Sequence, residues 1–108
     1  MLHTYRELKV WQRGIEAVEE VYRVTRLFPR EEQYGLVSQM RRAAVSIPAN
    51  IAEGQRRRTA RDFLQFLCIS FGSGSELETH IERRDIPTAK NEEPSFRMEI
   101  INFTQFIG

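Results

Sequence analysis

The residues best suited to chemistry in this chain are arginines. Arg41, Arg42, Arg56, Arg57, Arg58 and Arg61 crowd a stretch that holds one acid, Glu53. A guanidinium presents a planar fork of donors that matches a phosphate, so a basic surface for nucleic acid is the first chemistry to consider. The competing reading is that Arg56, Arg57 and Arg58 form a solvated loop while Arg41 and Arg42 pair with acids. Aromatic residues that would stack bases are not interleaved in this stretch, which favours a charge-driven binder over a reader of RNA sequence. His80, with Glu76 four residues earlier, is the one candidate metal pair. A di-iron bundle needs Glu-x-x-His on two helices plus two more carboxylates, so no metal site is expected. Cys68 sits in an apolar run with no histidine in a readable motif and is expected to be a packed thiol. No nucleophile–base constellation is present, so the chain is expected to be non-enzymatic and to need no cofactor.

A second set of residues bears on the backbone. Pro48 stands inside a helix-like stretch, where it removes one amide donor and crowds the carbonyl four residues earlier. A kink near Ala44–Ile47 is expected, with Asn50 or Ser46 satisfying the freed backbone groups. Glu53 falls in the last turn of the same helix, where the macrodipole disfavours an acid. It calls for a cation along its ridge, where Arg42 lies, or is simply an exposed acid. Gly54 is expected to end this helix.

The chain has 108 residues, 41% of them hydrophobic and 29% charged, which suits one soluble globular domain spanning 1–108. No apolar run reaches the roughly 20 residues of a membrane span, and the N-terminus has no signal-peptide core, so a cytoplasmic protein is expected. A single cysteine excludes an internal disulfide. The net charge of +1 conceals an asymmetry, since positions 76–99 hold seven acids and four bases.

The elements that must position these side chains are helices. Trp11, Ile15, Val18, Tyr22 and Thr25 recur at helical spacing in a first helix that runs from about Tyr5 to Leu27 and stops before Pro29. Arg30–Tyr34 reads as a polar connection. A second helix places Leu36, Met40, Ala43, Ala44, Ile47 and Ile51 on one face. Thr59 caps a third helix, with Phe63, Phe66, Leu67, Ser70, Gly74, Leu77 and Ile81 facing inward. Asp85–Pro94 reads as a loop, and Phe96–Phe106 as a short fourth helix. The spacing therefore predicts an all-α, up-down-up-down antiparallel four-helix bundle with a proline kink in helix two.

Two faces are left over. Val45, Ala49 and Ala52 on helix two, and Leu64, Cys68 and Phe71 on helix three, cannot all be core in one small bundle. Exposed together they make a large apolar patch, so a stable homo-oligomer is expected.

The segments LKVWQ (Leu8–Gln12), FPREEQYGL (Phe28–Leu36), SQMRRAAVSIPANIAEG (Ser38–Gly54), RRTARDFLQFL (Arg57–Leu67) and GSGSELETHI (Gly72–Ile81) carry a resemblance. Over about the first three quarters of its length the chain resembles the four-helix-bundle proteins encoded in intervening sequences of bacterial 23S ribosomal RNA genes. That family is similar to accessory proteins of diversity-generating retroelements, which bind a reverse transcriptase and nucleic acid. The resemblance implies a homopentameric ring with a basic surface and no enzymatic activity. After Ile81 the chain departs from the pattern, breaking early where the family continues helix three. The implied partners are RNA or DNA, or, for an oligomeric adapter, a protein such as a reverse transcriptase.

Overall fold

A computed structural model describes residues 4–83. They are all-α, with no strand among them. Three helices are present: α1 (Lys9–Thr25), α2 (Ser38–Gln55) and α3 (Ala60–Arg83). The fourth helix expected at Phe96–Phe106, and the loop before it, lie outside the described residues.

A 3-10 turn, Tyr5–Glu7, precedes α1. The Arg6 amide donates to Thr4 Oγ1 at 2.8 Å, and an extended Leu8 separates the turn from the helix. α1 closes at Thr25, whose hydroxyl donates back to the Val21 carbonyl at 2.6 Å. The connection is more structured than its polar composition suggests. Arg30–Glu32 makes a 3-10 turn, and Gln33–Val37 a π-helical turn that runs directly into α2.

α2 lies between the other two helices, and α1 hardly meets α3. Gly14 faces Pro48 while Thr25 meets Arg41, so α1 and α2 run antiparallel. Gly54 faces Phe66 while Ser46 meets Ser73, so α2 and α3 do too. The turn between them starts α3 as the spacing predicts: the Asp62 amide donates to Thr59 Oγ1 at 3.1 Å.

The core face of α2 is the one predicted. Met40, Ala43, Ala44, Ile47 and Ile51 are all buried. Leu77 and Ile81 meet them from α3, with Val21, Val24 and Phe28 completing the cluster. Each fully buried aliphatic side chain contributes about 1.5–3 kcal/mol by leaving water. The inward face of α1 differs from the reading above by about one residue. Gly14, Ala17, Val21 and Val24 are buried, whereas of the residues named above only Thr25 is buried, Trp11, Ile15 and Val18 are half-buried and Tyr22 is exposed. The cause is close approach. A Cβ on Gly14 would sit 3.3 Å from Pro48 Cβ, so the smallest side of α1, not its bulkiest, must face α2.

Gly54 also plays a different part from the one expected. It lies inside α2, which runs on to Gln55, and it is buried. A Cβ there would fall 2.6 Å from Phe66 Cβ and 3.0 Å from the Phe63 ring. Gly54 is a seat for α3, not a helix terminator. Beside it runs a row of polar contacts between α2 and α3. Ser46 and Ser73 share a hydroxyl–hydroxyl bond of 2.9 Å, and buried Ser70 donates to the Ile47 carbonyl at 2.9 Å. Asn50 Nδ2 donates to the Ser46 carbonyl at 2.8 Å and to Ser46 Oγ at 2.9 Å. The role expected for Asn50 and Ser46, satisfying the group that Pro48 frees, is not what their hydrogen bonds do. Pro48 frees the carbonyl of Ala44, whereas Asn50 serves that of Ser46 and the Ser46 hydroxyl bonds Asn50 and Ser73. α2 runs through Pro48 as one continuous helix.

Two glycine substitutions separate packing from propensity. Gly54→Ala should lower stability by about 1–3 kcal/mol through overpacking, or roughly 4–8 °C of thermal midpoint per kcal/mol. Gly72, on α3, would meet nothing within 4 Å. Gly72→Ala should therefore raise the midpoint, since alanine in a helix interior is favoured by about 1 kcal/mol. Thermal melts followed by circular dichroism check both.

Candidate nucleic-acid interface

The six arginines do not form one patch. Arg41 and Arg42 lie in the first turn of α2, and Arg56–Arg58 follow its last residue. At 1.5 Å per residue the two groups stand ~21 Å apart along the axis.

Within each group, some arginines are already engaged. Arg41 Nε donates to Thr25 Oγ1 at 2.9 Å, and its Nη2 reaches the Tyr22 carbonyl at 3.5 Å. Its guanidinium lies 4.3 Å from the centre of the Tyr22 ring. Those acceptors belong to the last turn of α1, the negative end of that helix, so Arg41 works as a cation on a helix C-terminus. Arg56 lies over the Tyr5 ring at 5.4 Å and ties the turn after α2 to the N-terminal 3-10 turn. Tyr5 in turn packs edge-on to Trp11.

Arg57 answers the question posed by Glu53. Its Nη2 lies 2.7 Å from Glu53 Oε2, one helical turn on, and its guanidinium sits 4.8 Å over the Phe66 ring of α3. Both charged side chains are about half exposed, so the pair itself contributes ~0.3–0.5 kcal/mol. The acid that the macrodipole disfavours is matched by a cation just past the helix end, not by Arg42. Arg42, Arg58 and Arg61 are exposed and have no ion-pair partner among the described residues.

The leftover apolar residues sit on the outside of the chain. Leu64 is 59% exposed, Val45 43% and Phe71 41%; Ala49 and Cys68 are exposed too, and Ala52 is half-buried. Cys68 is thus not packed in this chain's core, because the faces of α3 that meet α2 carry Phe66, Ser70 and Leu77 instead. His80 is buried, with Nε2 3.2 Å from Glu76 Oε2. Among the described residues no group of three or more histidine, cysteine or carboxylate side chains could hold a metal ion. None of the described helices is long and apolar enough to cross a membrane.

One feature of the surface has no counterpart in the sequence reading. The corner of α1, the π-helical turn and α2 encloses an open groove of about 670 Å³. Tyr22, Tyr34, Arg41, Arg42 and Val45 are among its walls. Tyr34 is 96% exposed. The signal was the spacing from Tyr34 to Arg41 and Arg42, seven and eight residues, which returns to one side of a helix after two turns. Reading Tyr34 as part of a polar connection hid it.

Substitution should sort the arginines by role. Arg41→Ala should cost about 1.5–3 kcal/mol, the range for hydrogen bonds made by a charged group. Arg42→Ala should stay within about 0.5 kcal/mol of the parent. Urea unfolding midpoints at constant slope distinguish the two.

No curated protein matches the chain at a significant level. A family model does match, that of the 23S rRNA-intervening sequence protein, over residues 6–99. The match runs past Ile81, further than the resemblance in the sequence had carried. With most of its length covered, the chain belongs to the 23S rRNA-intervening sequence protein family.

Proposed function

We propose that this chain is a non-enzymatic, homo-oligomeric protein of the cytoplasm that associates with nucleic acid, RNA foremost, through its arginine surface. The observation that carries the reading is the exposure of Arg42, Arg58 and Arg61 without carboxylate partners among the described residues. Unpaired guanidiniums keep their full attraction for phosphate, and each contact releases counterions. One subunit offers too few such contacts for tight binding. Symmetric repetition would supply the rest through effective concentration.

The assembly half of the proposal draws on the exposed apolar residues of α2 and α3, Val45, Leu64 and Phe71 among them, which a partner copy would cover. The pentamer count comes from the family resemblance. In this reading Phe96–Phe106 completes an up-down-up-down four-helix bundle, and α2 bends at Pro48. The alternative function is an adapter whose ring recruits a protein such as a reverse transcriptase. The row Leu64, Cys68 and Phe71 favours it, as an apolar strip suits a protein partner better than a phosphate backbone.

Ala49→Arg should convert the oligomer to monomer, because it buries an unpaired charge at a close helix contact. Light scattering reads this directly, and a native protein that is monomeric at micromolar concentration would defeat the assembly reading. Native binding should be weak, with dissociation constants of roughly 10⁻⁶ M near physiological salt. Replacing Arg42, Arg58 and Arg61 together with alanine should flatten the slope of log affinity against log salt by about two units, at ~0.7 per single-stranded contact. The absence of any mobility shift with RNA or DNA at about 50 mM salt, where charge-driven binding is strong, would leave the adapter reading in its place.

A further inference from the structure

We propose that the groove at the α1–α2 corner holds one nucleotide of a single-stranded nucleic acid, its base stacked on Tyr34 and its phosphate on Arg42. The inference rests on the nucleic-acid reading above and gives it a place and a strand preference. Tyr34 is 96% exposed, so its ring faces are open to a partner. It is not on a loose tail. It belongs to the π-helical turn Gln33–Val37, which is continuous with α2, and the neighbouring Gln33 side chain donates to the Phe28 carbonyl at 3.3 Å. The turn thus fixes the backbone that carries the ring.

The charges of the groove have one sign. Arg41 and Arg42 line it, and among the described residues no carboxylate does. Arg41 is held against Thr25 and the Tyr22 ring, which leaves it a fixed positive charge in the wall. Arg42 has no ion-pair partner among the described residues and can turn to a phosphate. Tyr22 cannot serve as the stacking platform, because the Arg41 guanidinium already covers it at 4.3 Å. An exposed aromatic face beside cations suits an unstacked base and its phosphate, and base–aromatic stacking tolerates any sequence. In a duplex the bases are stacked on one another, so the Tyr34 face would go unused.

The test uses the full chain, a fluorescein-labelled oligodeoxyadenylate of about a dozen nucleotides, and a duplex of the same length, read by fluorescence anisotropy. Tyr34→Ala should weaken binding of the single strand about tenfold and leave the duplex unchanged, while Tyr34→Phe should bind as the parent does. Arg42→Ala should weaken both. If the parent binds the single strand and Tyr34→Ala binds it equally well, the groove is not the site, although the wider nucleic-acid reading stands. Should the parent bind neither strand form, both readings fall together. A change in the oligomeric mass of Tyr34→Ala, measured by light scattering, would instead make the groove a contact between copies of this chain and overturn the proposal.

Discussion

Helix α2 is pressed against neighbours on two sides, and most of what the chain displays follows from that constraint. Gly14 gives up its side chain so that Pro48 can bury its ring against α1. Gly54 gives up its own so that Phe66 and Phe63 can close over α2 from the other side. Along this packed side α2 has little room for long side chains, and Ala43, Ala44 and Ile47 are buried there. The charged residues of α2 are consequently displaced to its ends. The two basic groups are thus the complement of a tightly packed middle, whatever ligand they hold.

Packing also divides the arginines. Arg41 closes the end of α1, Arg56 holds the N-terminal turn, and Arg57 matches Glu53 while covering Phe66. These three make the bundle's corners, where helix ends expose carbonyls and rings at which a planar cation fits. The other three have no ion-pair partner among the described residues. A basic cluster in a small helical protein thus mixes scaffold and surface, and counting its charges overstates what is free to meet a phosphate.

The inward faces of α2 and α3 were legible because their residues repeat at helical spacing and are large enough to mark a side: Met40, Ile47 and Ile51 on one, Leu77 and Ile81 on the other. Thr59 was legible as a cap because its hydroxyl has one obvious use. The phase of α1 was not, because hydrophobic size pointed to Trp11 and Ile15 while the contact selected Gly14 and Ala17. Gly54 was misread for a related reason. A glycine near a helix end serves equally as a terminator or as a seat, and only the phenylalanines of a later helix decide between them. The unengaged arginines could not be told from the engaged ones, since Arg41 finds its partners sixteen and nineteen residues away. The groove was missed because Tyr34, at helical spacing from Arg41 and Arg42, stands in a stretch whose polar composition reads as a connection.

The polar row between α2 and α3 fixes the alignment of the pair. A helical hairpin held by aliphatic side chains alone can slip by a turn, about 5.4 Å, and still bury much the same area. Here such a slip in either direction breaks the bond from Ser70 to the Ile47 carbonyl and parts Ser46 from Ser73. It also carries Phe66 off its seat at Gly54, leaving an unfilled slot. The serines act as a key cut for one position, so the hairpin rejects its near-degenerate neighbours by leaving polar groups unsatisfied rather than by losing hydrophobic contact.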